Sequence, residues 1–251
     1  MSSPADAALL VGAGVLAGAM GSAGAITSLI SYPALLSVGI APLPANVTNA
    51  VALVGSFTGS AMGSRPELAG QLGWLRRWAP LLAAGSAGGV ALLLGTPERL
   101  FTRIVPFLLV LAVLALVLQP RISRWRAGRP GRGRRLELTL GLAAMAVYSG
   151  YFGAGSGVLV LALLLVTVEE RVHLANALKN MLLGFADLVA AVAFAIFGPV
   201  HWTAALPLFA GLVVGSTLGP AAIRRVPGGV VRGLAAAAGL GLAVWFWVAS
   251  G

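Results

Sequence analysis

Residues 7–64 read AALLVGAGVLAGAMGSAGAITSLISYPALLSVGIAPLPANVTNAVALVGSFTGSAMGS and contain no Asp, Glu, Lys or Arg. A helix needs about 20 apolar residues to cross the hydrocarbon core of a bilayer, so this stretch alone can cross more than once. Three further stretches without these charges follow, at residues 78–97, 138–168 and 233–251. Charged residues make up only 10% of the chain, against about 25% in a soluble domain. This pattern excludes a soluble enzyme or nucleic-acid-binding module and predicts an all-α polytopic membrane protein.

The net charge of +10 is concentrated outside these apolar stretches, and seven arginines fall in the segment RISRWRAGRPGRGRR, residues 121–135. The positive-inside rule places such a segment in a cytoplasmic loop. Contact of this loop with nucleic acid or anionic lipid is an alternative, but topology already accounts for the charge, and we expect no nucleic-acid partner. The absence of cysteine excludes disulfides, thiolate metal sites and cysteine nucleophiles.

The chain divides at this loop into two halves that resemble each other. We predict a first membrane repeat over residues 1–118, an Arg-rich cytoplasmic linker over residues 119–136 and a second membrane repeat over residues 137–251. Four landmarks recur in the same order: glycine clusters at 21–24 and 153–157, Asn-containing helix starts at 45–49 and 176–180, a Gly-to-Trp motif at 70–74 and 198–202, and a GxxxG pattern at 85–89 and 215–219. Such recurrence indicates an internal duplication.

Each half contains five hydrophobic segments. They lie at about residues 7–21, 24–40, 47–64, 78–95 and 104–118 in the first half and at about residues 138–152, 155–168, 177–197, 205–223 and 231–249 in the second. The first two segments of each half are short and meet at the glycine cluster. A helix of about 15 residues rises about 22 Å, which is less than the core thickness of about 30 Å. Each pair is therefore either two tilted spans or one re-entrant hairpin whose glycine tip lies within the membrane. We favour the hairpin, because Gly-interrupted segments at matching positions of two repeats are typical of a transporter's binding site.

Charge asymmetry predicts the topology. If the linker is cytoplasmic and each hairpin begins and ends on one side, three further helices cross the membrane in each half. The two halves then contain eight membrane segments, or ten if the two legs of each hairpin are counted separately. Of the 17 Lys and Arg residues, only Arg99 and Arg103 then lie outside. Because three is an odd number, the two repeats must be inverted relative to each other, with both termini periplasmic. Residues 1–8 contain no basic residue, so we expect no cleaved signal peptide in this bacterial inner-membrane protein.

Inverted repeats with broken helices are the architecture of secondary transporters, which bind their substrate near the membrane midplane. The sequence contains no GxxxxGKS/T, HExxH or GxSxG motif and no paired carboxylates, so it predicts neither an ATPase nor another enzyme. Because Asp, Glu, His and Cys are nearly absent from the apolar stretches, we also expect no metal and no cofactor.

Several motifs resemble those of one known family. They are GAMGSAG at residues 18–24, YPALL at residues 32–36, SGYFGAGSG at residues 149–157 and GPVHW at residues 198–202. The pattern is similar to that of the sulfite exporter TauE/SafE family, also called the toluene sulfonate uptake permease family, over nearly the whole chain. The resemblance implies ATP-independent transport of an organosulfonate or sulfur oxyanion, such as sulfoacetate, sulfite or taurine.

The two glycine clusters form the first candidate substrate site. A helix is predicted to begin directly after each cluster, and the free N–H groups and dipole of a helix N-terminus attract sulfonate or carboxylate oxygens. Neighbouring hydroxyl groups, including that of Ser28, add donors. The candidate substrate-binding residues here are Ser22, Gly24, Thr27, Tyr32, Gly155, Ser156 and Gly157. The alternative is that the glycines serve only close helix packing, as GxxxG patterns do, and that Tyr32 packs in the interior.

Polar residues at the starts of two long helices form the second candidate group, which consists of Asn46, Thr48, Asn49, Asn176, Lys179 and Asn180. By repeat symmetry these helices lie beside the hairpins. Each Asn amide can donate two hydrogen bonds, and Lys179 supplies a positive charge for an anion. The alternatives are helix capping by Asn46 and Asn176 and a lysine that snorkels to the membrane interface.

Asp187 is the only acidic residue deep in a predicted span. Ionisable residues are costly in a bilayer and frequently carry protons in transporters, so we predict that Asp187 couples transport to protons. It follows Lys179 by eight residues, about two helical turns, so the two side chains project from similar faces. The alternative is an Asp187 with a structural role.

The sequence therefore predicts an alternating-access transporter whose partners are a small anionic substrate and the lipid bilayer, with a homo-oligomer left open. One alternative is a channel or carrier for another small anion, such as a carboxylate. The other is a membrane-embedded docking subunit that recruits a partner through the Arg-rich linker.

Overall fold

The structure, a computed structural model, describes residues 4–24, 27–126, 134–168 and 171–223, and every regular element in these ranges is an α-helix. This confirms the predicted all-α class. The predicted last hydrophobic segment, residues 231–249, and the central part of the Arg-rich linker lie outside the described residues.

The described chain forms ten helices. They are α1 (Pro4–Gly24), α2 (Thr27–Ser37), α3 (Pro42–Gly63), α4 (Arg65–Leu68), α5 (Leu72–Leu94), α6 (Glu98–Arg126), α7 (Arg134–Tyr151), α8 (Ser156–Thr167), α9 (Val172–Phe197) and α10 (Trp202–Ile223). Each hydrophobic segment that we identified up to residue 223 coincides with one helix. The short helix α4 is an addition between α3 and α5.

Several helices are longer than the apolar segments that predicted them. α3 begins at Pro42, five residues before Val47, because the fixed φ and missing N–H of proline suit the first turn of a helix. α6 begins at Glu98, whose carboxylate suits the positive end of the helix dipole, and continues to Arg126. The helices thus extend into residues that hydropathy alone assigns to loops.

The two hairpins, α1–α2 and α7–α8, each have a long first leg and a short second leg. α1 has 21 residues and α7 has 18, whereas α2 has 11 and α8 has 12. The short legs rise about 16–18 Å, well below the thickness of the hydrocarbon core. The second hairpin turns at Gly153 and Gly155, whose φ angles of 75° and 80° lie in the left-handed region that favours glycine. This turn allows α8 to begin at Ser156.

Four helices of the described chain contain a stretch long and apolar enough to cross a membrane: Pro4–Gly21, Leu72–Leu94, His173–Phe197 and Trp202–Gly219. Large apolar side chains are exposed on the outside of the bundle, as suits contact with lipid. They include Leu16, Leu92, Phe107, Leu140, Ile196 and Leu206. These features fit a multi-pass membrane protein, and the count of eight to ten membrane segments stays a prediction.

The two halves are interleaved. α1 of the first half packs along α10 of the second, and α7 of the second half packs along α5 of the first. Glycines make both contacts close: a Cβ at Gly14 would lie 2.6 Å from the Leu208 carbonyl oxygen, and one at Gly85 would lie 2.6 Å from the Ala146 Cβ. The helix-packing interpretation of the GxxxG patterns is therefore correct for these helices.

α3 and α9 cross at the centre of this arrangement. α3 also packs against α10, and α9 packs against α5. This set of contacts is unchanged when each helix is exchanged with its counterpart in the other half, that is, α1 with α7, α2 with α8, α3 with α9 and α5 with α10. Such equivalence is expected of a duplicated chain. The inverted orientation of the repeats stays a prediction.

Candidate functional site

A polar cavity of about 60 Å³ lies among the crossing helices α3 and α9 and the two hairpin turns. A cavity of this size has room for a few water molecules or one small ion. Its lining residues are Gly21, Thr27, Ser28, Leu53, Ser56, Phe57, Ser60, Gly153, Gly155, Ser156, Gly157, Lys179, Asn180, Leu183, Gly184 and Asp187. We call it the central cavity.

Helical periodicity explains which side chains reach the central cavity. The lining residues run from Leu53 to Ser60 on α3 and from Lys179 to Asp187 on α9, and their spacing is that of one helix face. The end of α1 and the starts of α2 and α8 close the remaining sides. Residues that are far apart in the sequence therefore share one wall.

The structure brings seven of the predicted site residues together in the central cavity. They are Thr27, Gly155, Ser156, Gly157, Lys179, Asn180 and Asp187. They come from both hairpin turns and from α9. The side chain of Ser22 lies outside the described residues, and Gly24 is the last residue of α1.

Lys179 is a buried cation in the wall of the central cavity. Its side chain is only 2% exposed, and its ammonium donates hydrogen bonds to Asn176 Oδ1 at 2.9 Å and to the Gly21 carbonyl oxygen at 3.4 Å. The Gly21 carbonyl belongs to the last turn of α1, where the negative end of the helix dipole stabilises a cation. The snorkelling interpretation of Lys179 is therefore wrong, because its amine remains inside the bundle.

Asp187 and Lys179 stand at opposite ends of the α9 wall. Eight residues separate them, which is about 12 Å along the helix axis. The Ser149 hydroxyl on α7 donates a 3.2 Å hydrogen bond to Asp187 Oδ1. The cation and the acid thus lie at separate points of the central cavity. The acid is hydrogen-bonded to α7, the first leg of the second hairpin.

Two predicted site residues on α3 brace the bundle and do not line the central cavity. Asn46 Nδ2 donates to the Tyr151 carbonyl oxygen at 3.0 Å, at the end of α7. Asn49 Oδ1 accepts a 2.6 Å hydrogen bond from the Ser31 hydroxyl of α2. These amides therefore hold both hairpins against α3.

Thr48 and Tyr32 also lie outside the lining of the central cavity. The Thr48 hydroxyl oxygen accepts a hydrogen bond from the His201 N–H at 3.0 Å. The Tyr32 hydroxyl donates to the Pro42 carbonyl oxygen at 3.3 Å, and its ring packs edge-on against Phe152. The packing interpretation of Tyr32 is therefore correct.

Asn46 and Asn176 do not cap helices. The N-caps are Ala41 for α3 and Arg171 for α9, because each helix begins several residues earlier than predicted. Asn176 instead accepts the hydrogen bond from Lys179 and positions its ammonium. It acts on the central cavity through Lys179, since it is not itself a lining residue.

Sequence reasoning missed the α3 wall of the central cavity, which includes Ser56 and Ser60. A signal for Ser56 was present, because it precedes Asp187 by the same offset at which Asn49 precedes its repeat partner Asn180. The repeat alignment therefore pairs a cavity hydroxyl in one half with the cavity acid of the other.

Gly184 allows α3 and α9 to cross closely. A Cβ at this position would overlap the ring of Phe57. That ring also packs against Phe185, with the ring centroids 5.8 Å apart. Phe57 therefore forms an apolar part of the wall and limits the size of a molecule that the central cavity can hold.

The donors around the central cavity suit a small anion. Hydroxyl groups, two helix N-termini and one ammonium group surround it, and hydrogen bonds from charged donors to oxyanions are strong. Among the described residues, no group of three or more His, Cys, Asp or Glu is placed to hold a metal ion.

A helical bundle with an apolar exterior and a small charged cavity at its centre defines a class of protein. It is a polytopic membrane protein that can hold a polar solute within the bilayer, away from lipid. The comparisons with known proteins give the same answer.

The profile of the family described as "Sulfite exporter TauE/SafE" matches residues 7–246, and the chain belongs to this family. A protein of Haemophilus influenzae named "Probable membrane transporter protein" is 26% identical over 198 residues, which cover 76% of this chain and 74% of that relative. No solved structure matches. The protein is therefore a multi-pass membrane transporter and not an enzyme, and the resemblance found in the sequence is confirmed.

Proposed function

We propose that the protein is a secondary transporter that moves a small organosulfonate or sulfur oxyanion across the bacterial inner membrane by alternating access. The observation that carries the proposal is the buried ammonium of Lys179 in the wall of a cavity that also contains two helix N-termini. A cation and helix N-termini together favour an anion. The description of the family supports sulfite or a related compound as that anion.

An anion beside Lys179 finds hydrogen-bond donors on several sides. Thr27 and Ser28 lie in the first turn of α2, Ser156 begins α8, and Asn180 follows Lys179 on α9. Several oxygens of a sulfite or sulfonate group can therefore accept hydrogen bonds from different helices. The bound anion then contacts α2, α8 and α9 together.

The hydrogen bonds of Lys179 indicate how binding can be coupled to movement. One of them joins α9 to the Gly21 carbonyl oxygen of α1. An anion attracts the ammonium and competes with this carbonyl, so binding loosens the link between α9 and the first hairpin. The hairpins then move relative to the crossing helices. The equivalent packing of the two halves supports two related states, as in other inverted-repeat transporters.

Asp187 is our candidate for the residue that carries the coupling proton. Its carboxylate accepts a hydrogen bond from Ser149 on α7. A protonated carboxyl group can donate as well as accept, so protonation alters the link between α9 and the second hairpin. Anion binding at Lys179 and protonation at Asp187 thus act on different hairpins through one helix.

Two further cavities support the proposed topology. One joins residues 66–71 to residues 171–174, and the other joins residues 74–78 to residues 135–138 and 167–168. The basic segments at these positions therefore lie at one end of the bundle. This supports the proposal that these segments share the cytoplasmic side.

The anion proposal is tested by the thermal stability of the purified protein with sulfite, thiosulfate, sulfate, taurine, sulfoacetate and matched carboxylates. A ligand at 100 times its Kd stabilises a protein by about 2.7 kcal/mol, which is readily detected. We expect stabilisation by one sulfur oxyanion or sulfonate in the wild type and in R76Q, and none in K179Q. Arg76 is exposed and outside the central cavity, so R76Q controls for the loss of one positive charge.

Each other outcome changes the conclusion. Stabilisation by carboxylates alone would favour a carboxylate carrier, because the same donors bind both groups. A folded wild-type protein that responds to none of the anions would overturn the proposal. Flux of the stabilising anion in proteoliposomes separates a transporter from a docking subunit, which would bind without transport.

A further inference from the structure

One of the two further cavities, the one that joins residues 74–78 to residues 135–138 and 167–168, has a volume of about 340 Å³ and opens at one end of the bundle between the starts of α5 and α7 and the end of α8. Its lining residues are Trp74, Arg77, Trp78, Arg135, Leu138, Thr167 and Val168. It shares no lining residue with the central cavity. We call it the Arg77–Arg135 cavity.

The Arg77–Arg135 cavity is positively charged. Both guanidinium groups are on exposed side chains, and none of the described residues that line the cavity is acidic. A guanidinium presents several N–H groups in a planar fork, which matches the oxygens of a phosphate.

Trp78 provides an independent sign of a missing hydrogen-bond acceptor. Its side chain is only 8% exposed and lines this cavity, yet its indole N–H has no acceptor in the described part of the chain. Buried N–H groups are nearly always paired in native proteins, so such a donor calls for a partner. Trp74 packs beside it, with the ring centroids 6.2 Å apart.

The surroundings of the Arg77–Arg135 cavity combine charge with apolar surface. Leu72, Leu136 and Leu140 are exposed on the neighbouring turns of α5 and α7. Tryptophan is enriched at the boundary between membrane and water, and basic pockets between membrane helices bind lipid headgroups. The matching ligand therefore has a phosphate group and apolar chains in the same molecule.

We propose that the Arg77–Arg135 cavity binds the headgroup phosphate of an anionic phospholipid. The phosphate oxygens accept hydrogen bonds from both guanidinium groups and from the Trp78 indole N–H, while the acyl chains lie along the exposed leucines. The bound lipid joins the start of α5 to the start of α7. This site is separate from substrate transport and does not depend on the proposed substrate.

Native mass spectrometry of the purified full-length protein, titrated with phosphatidylglycerol or phosphatidylcholine, tests the proposal. We expect R77Q/R135Q to weaken phosphatidylglycerol binding by about tenfold or more, because it removes two charged donors. We expect W78F to weaken it by about threefold, since the ring remains and only one neutral donor is lost. R76Q, which changes an exposed arginine outside this cavity, should bind as the wild type does.

Several outcomes would overturn the proposal. Equal retention of phosphatidylglycerol by R77Q/R135Q and the wild type would remove the site, and an equal loss in R76Q would indicate unspecific charge attraction. Equal binding of phosphatidylcholine would exclude a preference for anionic lipid. Inorganic phosphate is the third ligand in the titration. If it binds as strongly as phosphatidylglycerol, the cavity is a site for a free anion and not for a lipid.

One further variant separates this site from the central cavity. K179Q alters the central cavity and should keep full phosphatidylglycerol binding, so a loss of binding in K179Q would contradict the proposed site.

Discussion

The ammonium of Lys179 on α9 donates a hydrogen bond to the Gly21 carbonyl oxygen, 3.4 Å away in the last turn of α1. A counterpart exists at the other hairpin, where Asn46 on α3 donates to the Tyr151 carbonyl oxygen at the end of α7, at 3.0 Å. Each crossing helix therefore holds the end of the first helix of the opposite half. Only the link through Lys179 carries a charge for which an anion can compete.

The Asn46 link should affect stability and leave the affinity for the substrate unchanged. Asn46→Ala removes the donor to a carbonyl oxygen inside the bundle, so we expect a loss of about 1–3 kcal/mol in the free energy of unfolding. Denaturation and anion titration of the same sample measure both quantities. An affinity loss as large as that of Lys179→Gln would instead place Asn46 in the substrate site.

The α3 hydroxyls should contribute to the affinity for the anion. Ser56 lines the central cavity, and its hydroxyl oxygen lies 2.9 Å from that of Ser216. Ser56→Ala should weaken anion binding about two- to tenfold, the effect of one hydrogen bond. The matched control is Thr58→Ala, because Thr58 is exposed and its hydroxyl donates to the Val54 carbonyl oxygen. If both variants bind as tightly as the wild type, Ser56 makes no contact with the anion.

The contact between Gly184 and Phe57 should depend on both residues. Gly184→Ala places a methyl group against the Phe57 ring, and overpacking of this kind costs about 1–3 kcal/mol. The loss should be smaller in a Phe57→Ala background, where the ring is absent. A double-mutant cycle of unfolding free energies measures this coupling. Strictly additive effects would show that the two helices do not meet at these residues.

Two adjacent glycines on α5 should respond differently to alanine. A Cβ at Gly89 would overlap the Val147 carbonyl oxygen of α7, whereas a Cβ at Gly88 would contact no atom of another helix. Gly89→Ala should therefore destabilise the protein by about 1–3 kcal/mol. Gly88→Ala should be neutral or stabilise it by up to about 1 kcal/mol, because alanine is the better helix former. Similar melting temperatures for the two variants would contradict the α5–α7 packing.

Proton coupling should depend on Asp187. Asp187→Asn keeps the shape of the side chain but cannot exchange a proton, so a pH gradient should no longer drive transport in proteoliposomes, while anion binding is retained. Ser149→Ala removes the hydrogen bond to Asp187 and should alter the coupling without abolishing it. Unchanged dependence on the pH gradient in Asp187→Asn would remove this residue from the mechanism.

The helices could be predicted because the signals for them are local. Hydrophobic segments and the glycine clusters identified every long helix up to residue 223, and the recurrence of sequence landmarks predicts the duplication. The helix boundaries were less predictable. α3 begins at Pro42 and α9 at Val172. A helix extends beyond its apolar stretch where the flanking residues can adopt helical geometry and leave no buried backbone N–H group unpaired.

The candidate site could be predicted only in part. Repeat symmetry pointed to Lys179 and Asn180, which line the central cavity, and also to Asn49, which does not. Asn49 and Ser56 are both polar residues of α3, two turns apart. Which of them reaches the cavity depends on where α3 crosses α9, and the contact of Phe57 with the position of Gly184 sets that crossing.

From the sequence follow the membrane class, the predicted duplication and the candidate cation Lys179, because hydropathy, periodicity and charge are properties of short segments. The tertiary structure assigned the polar residues to their tasks: Ser56 to the cavity wall, and Asn46 and Asn49 to the links that hold the hairpins. That assignment depends on contacts such as Asn46 with Tyr151, whose partners are far apart in the chain. Such contacts depend on how closely the helices of the two halves approach each other at their GxxxG patterns. No local sequence pattern specifies that distance.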